Sequence, residues 1–291
     1  MRQHGEPVTG AQVLLMIYVP AIFMASVLGG WLPRRFRMTH TRTQLVMSLV
    51  AGLMLGVAFF HLIPHAVLAD AADVDFAMAW VMAGLVFMLS LLRLFHFHQH
   101  DFADPSESCD HATANGHSHE HAHDHGHAGP PGGSFTWLGL LLGLSIHTVV
   151  DGIALGAIMR ADPELNAGLL GFGVFLAILL HKPLDALSIE TVLAAAGHPD
   201  RLRHWINLGF SLLCPLVAVL FWYFMALTPL DGRVLAAALA FSAGAFICIA
   251  LGDLLPEIQF HSHDRGKLTL LFLLGIALAW AIGAVEPAHG L

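Results

Sequence analysis

Eight long apolar runs constrain this chain more strongly than any other feature of its sequence. They cover residues 12–33, 43–65, 76–95, 135–159, 166–196, 205–227, 234–256 and 268–285. A helix of about 20 apolar residues crosses the ~30 Å hydrocarbon core of a bilayer. Because backbone groups in lipid must be hydrogen-bonded within their own segment, continuous runs of this length favour helices over strands. We therefore predict an all-α integral membrane protein with eight transmembrane helices.

The composition agrees with a membrane protein and excludes other classes. Hydrophobic residues make up 56% of the 291 residues and charged residues 12%, whereas soluble domains average about 25% charged residues. The net charge of -8 provides no basic surface for nucleic acid, so the expected partners exclude nucleic acid and include the lipid bilayer. The three cysteines Cys109, Cys214 and Cys248 do not form a disulfide framework.

Positive charge is concentrated on one side of the predicted membrane, and this bias predicts the orientation. One side carries Arg34, Arg35, Arg37, Arg42, Arg93, Arg201, Arg203, Arg265 and Lys267, and the other carries Arg2, Arg160 and Arg233. Both termini are therefore expected outside, and the segment 96–133 is expected in the cytoplasm. Short loops and the lack of a targeting extension favour a cell membrane, specifically a bacterial inner membrane.

An internal repeat relates the second and seventh spans. His61-Leu62-Ile63-Pro64-His65 ends the second span, and Asp253-Leu254-Leu255-Pro256-Glu257 ends the seventh. In the same register, Ala51-Gly52 aligns with Ala243-Gly244. Because the two spans run in opposite directions, we predict an inverted repeat in a 3+2+3 arrangement, with spans 1–3 related to spans 6–8, as in alternating-access transporters. The expected units are residues 1–95 (helices 1–3), 96–133 (a disordered loop), 134–196 (the central pair) and 197–291 (helices 6–8).

The central fourth and fifth spans carry the strongest chemical signal. The fourth contains His147 and Asp151, and the fifth contains His181 and Asp185. A spacing of four residues places two side chains on the same helix face, one turn apart. Two such faces opposite each other would form an N₂O₂ ligand set for a borderline divalent ion such as Zn²⁺. Ionisable residues at bilayer depth are costly and indicate a functional site, although mutual structural pairing is an alternative.

Other polar residues in the spans have two interpretations each. Lys182 is either a fixed internal cation where another metal would sit or the ionic partner of a carboxylate. The repeat-end residues His61, His65, Asp253 and Glu257 are expected to line the pathway, with interfacial helix caps as the alternative.

The segment between the third and fourth spans is rich in histidine. It alternates His117, His119, His121, His123, His125 and His127 with small and polar residues. Such a segment forms no packed core and is expected to be disordered. Its imidazoles would bind Zn²⁺ weakly, to buffer, deliver or sense the ion, and a low-complexity linker is the alternative.

These motifs resemble those of the ZIP family of metal transporters. The matching features are the His147-to-Gly152 motif, the His181-to-Asp185 motif, the His-Leu-Ile-Pro pattern and the Gly-Asp-Leu-Leu-Pro-Glu pattern. The resemblance implies eight helices in a 3+2+3 arrangement, an elevator-like motion of the central helices and uptake of Zn²⁺, and often Fe²⁺ or Mn²⁺, into the cytoplasm. It places His147, Asp151, His181 and Asp185 at primary ligand positions, Met54 at a softer ligand position and His61 near the outer entrance.

The sequence departs from the commoner pattern of that family at a second metal site. Thr148 and Lys182 occupy positions where many members have additional ligands, and both acids are Asp where Glu is more usual. We therefore expect one main transport site, in which Lys182 replaces the charge of a second ion.

We predict a transporter rather than an enzyme, with Zn²⁺ as its substrate and not a cofactor. Fe²⁺, Mn²⁺ and Cd²⁺ are further candidate substrates, and a homodimer remains open. The alternatives are a cation-efflux transporter, which would have about six spans and a soluble C-terminal domain, an intramembrane zinc-dependent hydrolase, and a metal sensor that does not transport.

Overall fold

The computed structural model describes residues 10–31, 40–69, 73–95, 136–161, 171–227, 232–260 and 265–285. Within these ranges the regular structure is helical, and eight segments are long and apolar enough to cross a membrane. The elements are α1 (Gly10–Trp31), α2 (His40–Val57), a π-helical turn (Ala58–Leu62), α3 (Ile63–Leu68), α4 (Val74–Phe95), α5 (Thr136–Ala161), α6 (Phe172–Ala195), α7 (Asp200–Leu227), α8 (Gly232–Phe260) and α9 (Arg265–Val285). The prediction of eight transmembrane helices is confirmed.

Two local features differ from the sequence prediction. The fifth span was expected from residue 166, but α6 begins at Phe172, after Gly171 with a φ of 65°, a left-handed conformation that glycine adopts without strain. The second span is one continuous segment from Thr41 to Leu68, but a π-helical turn lies directly before Pro64. Proline has no N–H and its ring clashes with the preceding turn, and a wider turn accommodates both effects.

The spans form two packed groups of four. The first group contains α2 with α3, α4, α8 and α9, in which α2 packs on α9 and α4 packs on α8. The second group contains α1, α5, α6 and α7, in which α5 packs on α7 and α1 packs on α6. The inverted repeat relates α1 to α7, α2 to α8 and α4 to α9, and it exchanges the two central helices α5 and α6. Under this exchange the pair α2–α9 becomes α8–α4, and the pair α5–α7 becomes α6–α1. The packing therefore follows the inverted repeat.

Glycine contacts between the helices obey the same symmetry. A Cβ atom at Gly52 would meet the carbonyl group of Phe272, and one at Gly244, its counterpart in the repeat, would meet the carbonyl group of Val81. Four contacts of this type join α2 to α9 and α4 to α8: Gly52 with Phe272, Gly275 with Leu49, Gly244 with Val81, and Gly84 with Phe241. Because each contact involves backbone atoms, only glycine permits this separation between the helices.

Because each span crosses the membrane once, the helix ends form two sets. We call the side that contains the ends at Phe95 and Thr136, which flank the His-rich segment, the loop face. The side that contains Gly10 and Val285, the described ends nearest the termini, is the terminal face. Helices α2 and α5 run from the loop face to the terminal face, whereas α6 and α8 run in the opposite direction.

We expect Gly52→Ala to destabilise the fold by about 1–3 kcal/mol, because its methyl group would overpack against the α9 backbone. Gly209→Ala is the matched control, since a Cβ atom there meets nothing within 4 Å and alanine favours a helix. Thermal unfolding in detergent measures both effects. Equal unfolding temperatures for the two variants would contradict the close approach of α2 and α9.

Candidate metal site

The two predicted His-x-x-x-Asp motifs lie on neighbouring helices that run in opposite directions. His147 and Asp151 belong to α5, and His181 and Asp185 belong to α6. One ligand atom from each of these residues can be chosen so that all four atoms lie within 4.8 Å of one another. Three of the residues are buried and Asp185 is partly buried. The predicted convergence of two imidazoles and two carboxylates is therefore present in the structure.

Asp151 lies at the centre of this cluster. Its Oδ2 atom is 3.4 Å from His147 Nε2 and 3.2 Å from His181 Nε2. The Oδ2 atom of Asp185 is 3.7 Å from the first of these nitrogens and 3.9 Å from the second. The Nε2 atoms of both histidines thus face the same two carboxylate oxygens, an N₂O₂ arrangement that suits a borderline divalent cation.

Hydrogen bonding directs one imidazole toward the cluster. Nδ1 of His181 lies 2.8 Å from the carbonyl oxygen of Ala177, and because a carbonyl only accepts hydrogen bonds, this nitrogen carries the proton. In a neutral ring the Nε2 lone pair then points toward Asp151, as in metal sites whose histidines are oriented by backbone carbonyls. Two facing acceptors repel each other unless a proton or a metal cation lies between them.

Two buried atoms of the cluster lack a hydrogen-bond partner among the described residues. They are His147 Nδ1 and Asp151 Oδ1. Buried polar atoms are normally paired, and exceptions indicate an absent partner such as an ion or water. These two atoms are not the Nε2 and Oδ2 atoms that converge, so the fit to a divalent cation rests on the chemistry of the converging donor set.

Lys182 adds a positive charge to the cluster. Its ammonium group lies 2.5 Å from Asp151 Oδ2 and donates hydrogen bonds of 3.0 Å to Asp185 Oδ2 and to the Thr148 hydroxyl. These contacts use all three donors of the ammonium group, and the residue is 1% exposed. Lys182 thus contacts both carboxylates of the cluster, and its replacement of a second ion stays a prediction.

A cavity of about 40 Å³ adjoins the cluster, which is enough space for an ion or a few water molecules. It is lined by Met47, Val50, Ala51, Met54, Leu184 and Ile249 together with His147, His181 and Asp185. The lining residues outside the cluster lie at the midpoints of their helices or between those midpoints and the loop face. Met54 was predicted from the sequence as a ligand and Met47 was not, although the four α2 lining residues have the i, i+3, i+4, i+7 spacing of one helix face.

The predicted pathway residues are only partly described. His61 lies in the π-helical turn and is 1% exposed, and its Nε2 atom donates a 3.0 Å hydrogen bond to the carbonyl oxygen of Ala279. His65 is partly buried and its Nδ1 atom donates a 2.6 Å hydrogen bond to the carbonyl oxygen of His61. The side chains of Asp253 and Glu257 and the whole segment 96–133 lie outside the described residues. The pathway role of these residues and metal binding by the segment stay predictions.

These features define a multi-pass membrane protein with a buried His/Asp cluster that fits a divalent metal. The family model described as ZIP zinc transporter matches residues 95–283. Zinc transporter ZIP9-B of Xenopus laevis is 26% identical over 92% of this chain and 93% of its own length. Zinc transporter ZIP9 of Micropogonias undulatus is 34% identical over 43% of this chain and 40% of its own length. The chain therefore belongs to the ZIP zinc transporter family.

We expect Lys182→Met to strengthen Zn²⁺ binding by at least about tenfold, because the cluster loses a cation that competes for its carboxylates. Lys182→Glu is expected to bind a second ion, whereas Lys182→Arg, the charge-preserving control, is expected to bind one. Titration calorimetry would measure affinity and stoichiometry, with the six alternating histidines of residues 117–127 changed to Ser in every chain. Two tightly bound ions in the parent chain would rule out the role given to Lys182.

Proposed function

We propose that this protein carries Zn²⁺ across the membrane through the cluster of His147, Asp151, His181 and Asp185. The observation that supports this function best is the convergence of the four donor groups in a buried position between α5 and α6. A membrane protein has little structural reason to bury two histidines and two acids together, because each is costly at bilayer depth. Fe²⁺, Mn²⁺ and Cd²⁺ suit a similar ligand set and are candidate substrates.

The charge balance of the cluster suits transport better than permanent binding. Two carboxylates and one ammonium group leave a net charge of one negative unit when the histidines are neutral, so a divalent cation is attracted. Lys182 shares its carboxylate oxygens with the ion and limits the strength of binding. The absence of thiolates among the four ligands also favours exchange, because Cys ligands are typical of closed structural zinc sites.

We propose that the ion moves by alternating access and that this structure is open toward the loop face. The cavity beside the cluster lies on that side, and it is lined by the thioethers of Met47 and Met54. Toward the terminal face, Val57, Leu62, Val174 and Ile178 are fully buried and close the route. Because α5 and α6 belong to one packed group, we propose that the central unit 134–196 moves with that group relative to the other four spans.

The remaining assignments extend this proposal to the ends of the pathway. We propose His61 and His65 at the outer end, and Asp253 and Glu257 at the inner end. Residues His117 to His127 would bind Zn²⁺ reversibly after it leaves the cluster. The protein would be a transporter without enzymatic activity, and a homodimer is the proposed assembly, testable by crosslinking in the membrane.

The arginine distribution supports uptake into the cytoplasm, with the loop face inside the cell and both termini outside. The cell membrane is the proposed location. Relatives from a frog and a fish give no support for a bacterial inner membrane, which stays a prediction from the short connections.

Flux through the cluster is tested in proteoliposomes that contain a trapped zinc-sensitive dye. We expect the parent chain to admit Zn²⁺. In the double variant His147→Ala with Asp185→Ala, we expect the Zn²⁺ flux to be at least about 100-fold lower, because half of the proposed ligands are removed. His204→Ala is the control, since His204 is an exposed histidine away from the cluster. A folded parent chain that binds Zn²⁺ without flux would overturn transport, and turnover of ester or peptide substrates would then indicate a hydrolase.

The orientation predicts that a cysteine at Gly10, on the terminal face, reacts with an impermeant thiol reagent added to intact cells. A cysteine at Ala196, in the α6–α7 connection, is expected to react only in inverted vesicles. A Cβ atom at Gly10 would meet no other atom within 4 Å, and Ala196 is exposed with a helical φ of -74°, so both positions accept a side chain. The reverse labelling pattern would show that the loop face is outside and that the proposed uptake direction is wrong.

A further inference from the structure

The inverted repeat assigns a counterpart to each residue of α2 and α8 that lines the cavity. On α2 the lining residues are Met47, Val50, Ala51 and Met54. In the register that aligns Ala51-Gly52 with Ala243-Gly244, their counterparts on α8 are Leu239, Ser242, Ala243 and Phe246. Likewise, Ile249 of α8 lines the cavity, and its counterpart is Val57 of α2. We call the four lining residues of α2 the α2 stripe and their four counterparts the α8 stripe. The α8 stripe lies at the midpoint of α8 and between that midpoint and the terminal face.

The α8 stripe is closed in this structure. Leu239, Ser242, Ala243, Phe246 and Val57 are each 0% exposed. Most of these residues pack in one apolar cluster with residues of α6, including Val174 and Ile178. The α2 residues are also largely buried, with Val50, Ala51 and Met54 2–4% exposed, but they line a cavity beside the cluster, whereas their α8 counterparts do not line it. This is the asymmetry expected when one of two equivalent routes is open.

Phe246 connects this stripe to the metal cluster. Its ring makes an edge contact with the His181 ring, with 6.4 Å between the ring centroids. Its counterpart Met54 lines the cavity together with His147 and His181. These two side chains, which are equivalent in the repeat, therefore both lie beside the cluster.

Ser242 is the one polar residue of the α8 stripe, and its hydroxyl group indicates what the stripe does. Its hydroxyl group is buried and has no hydrogen-bond partner among the described residues. An unpaired buried hydroxyl destabilises the conformation that contains it, and its presence requires an explanation such as another conformation in which it is solvated. The three apolar members of the α8 stripe have no comparable disadvantage in the closed state.

We propose that Leu239, Ser242, Ala243, Phe246 and Val57 line the route from the terminal face to the metal cluster when that face is open. This inference rests on the proposed transport by alternating access and identifies the outer part of its pathway. In the open state the Ser242 hydroxyl contacts the water shell of the incoming divalent cation. The outer route is thus lined by one hydroxyl and an aromatic ring, whereas the inner route is lined by two thioethers.

Accessibility of single cysteines tests this route. Ser242→Cys and its repeat counterpart Val50→Cys are treated with a small impermeant cationic thiol reagent on each membrane face, and mass spectrometry locates the modified residue. We expect Cys at 242 to react at least about tenfold faster from the terminal face, and Cys at 50 to react faster from the loop face. A Ser242→Cys chain that transports Zn²⁺ but is unmodified from the terminal face would overturn the inference and leave transport intact.

A second variant tests the hydroxyl itself. Ser242→Ala removes the unpaired group, so we expect equal or higher thermal stability of the closed state and about tenfold lower Zn²⁺ flux, because the outward-open state loses its solvated hydroxyl. Ser90→Ala is the control, since the Ser90 hydroxyl is exposed and bonded to the Val86 carbonyl oxygen. Flux at the parent rate would refute the role of the hydroxyl. Absence of flux in the parent chain would refute the transport function and, with it, this inference.

Discussion

The buried charge of Asp151 is the constraint on which the other features of the site depend. A carboxylate that is fully buried among membrane helices is strongly unfavourable unless cations or hydrogen-bond donors surround it. Here two imidazoles and the Lys182 ammonium group lie within 3.4 Å of the same oxygen. Because one ammonium group balances only one of two carboxylate charges, a further cation would be attracted to the cluster. The same contacts would limit the binding of that cation, since ion and ammonium group would share oxygens.

The helix packing determines where this cluster can be reached. Four glycines permit backbone contact between α2 and α9 and between α4 and α8, so these helices form a closely packed group. The other group holds the cluster on α5 and α6, and the two groups meet along α2 and α8. A shift of one group relative to the other would change which of these two helices faces open space, while the distances inside the cluster are preserved.

The two halves of the repeat are alike in backbone packing but differ in chemistry. Met54 and Phe246 occupy equivalent positions beside the cluster, yet a thioether can ligate a soft or borderline ion whereas a phenyl ring supplies no σ-donor ligand. In the proposed direction of transport, an ion that enters past Phe246 would meet its first strong ligands in the cluster. The thioethers of Met47 and Met54 would then offer weak ligands along the proposed exit, which would lower the barrier to leaving the cluster.

The sequence by itself determined the number of spans, the inverted repeat and the four cluster residues, because each rests on local periodicity or on the high cost of polar groups in lipid. It also identified Lys182 as unusual but left two interpretations, since sequence spacing does not say which atoms an ammonium group reaches. The tertiary structure decided this point: Lys182 contacts both carboxylates and Thr148. Three further features are visible only in the tertiary structure: the π-helical turn, the cavity beside Met47 and the Ser242 hydroxyl, which is unpaired among the described residues. These features depend on how side chains from helices distant in sequence fill space, and no one-dimensional pattern contains that information.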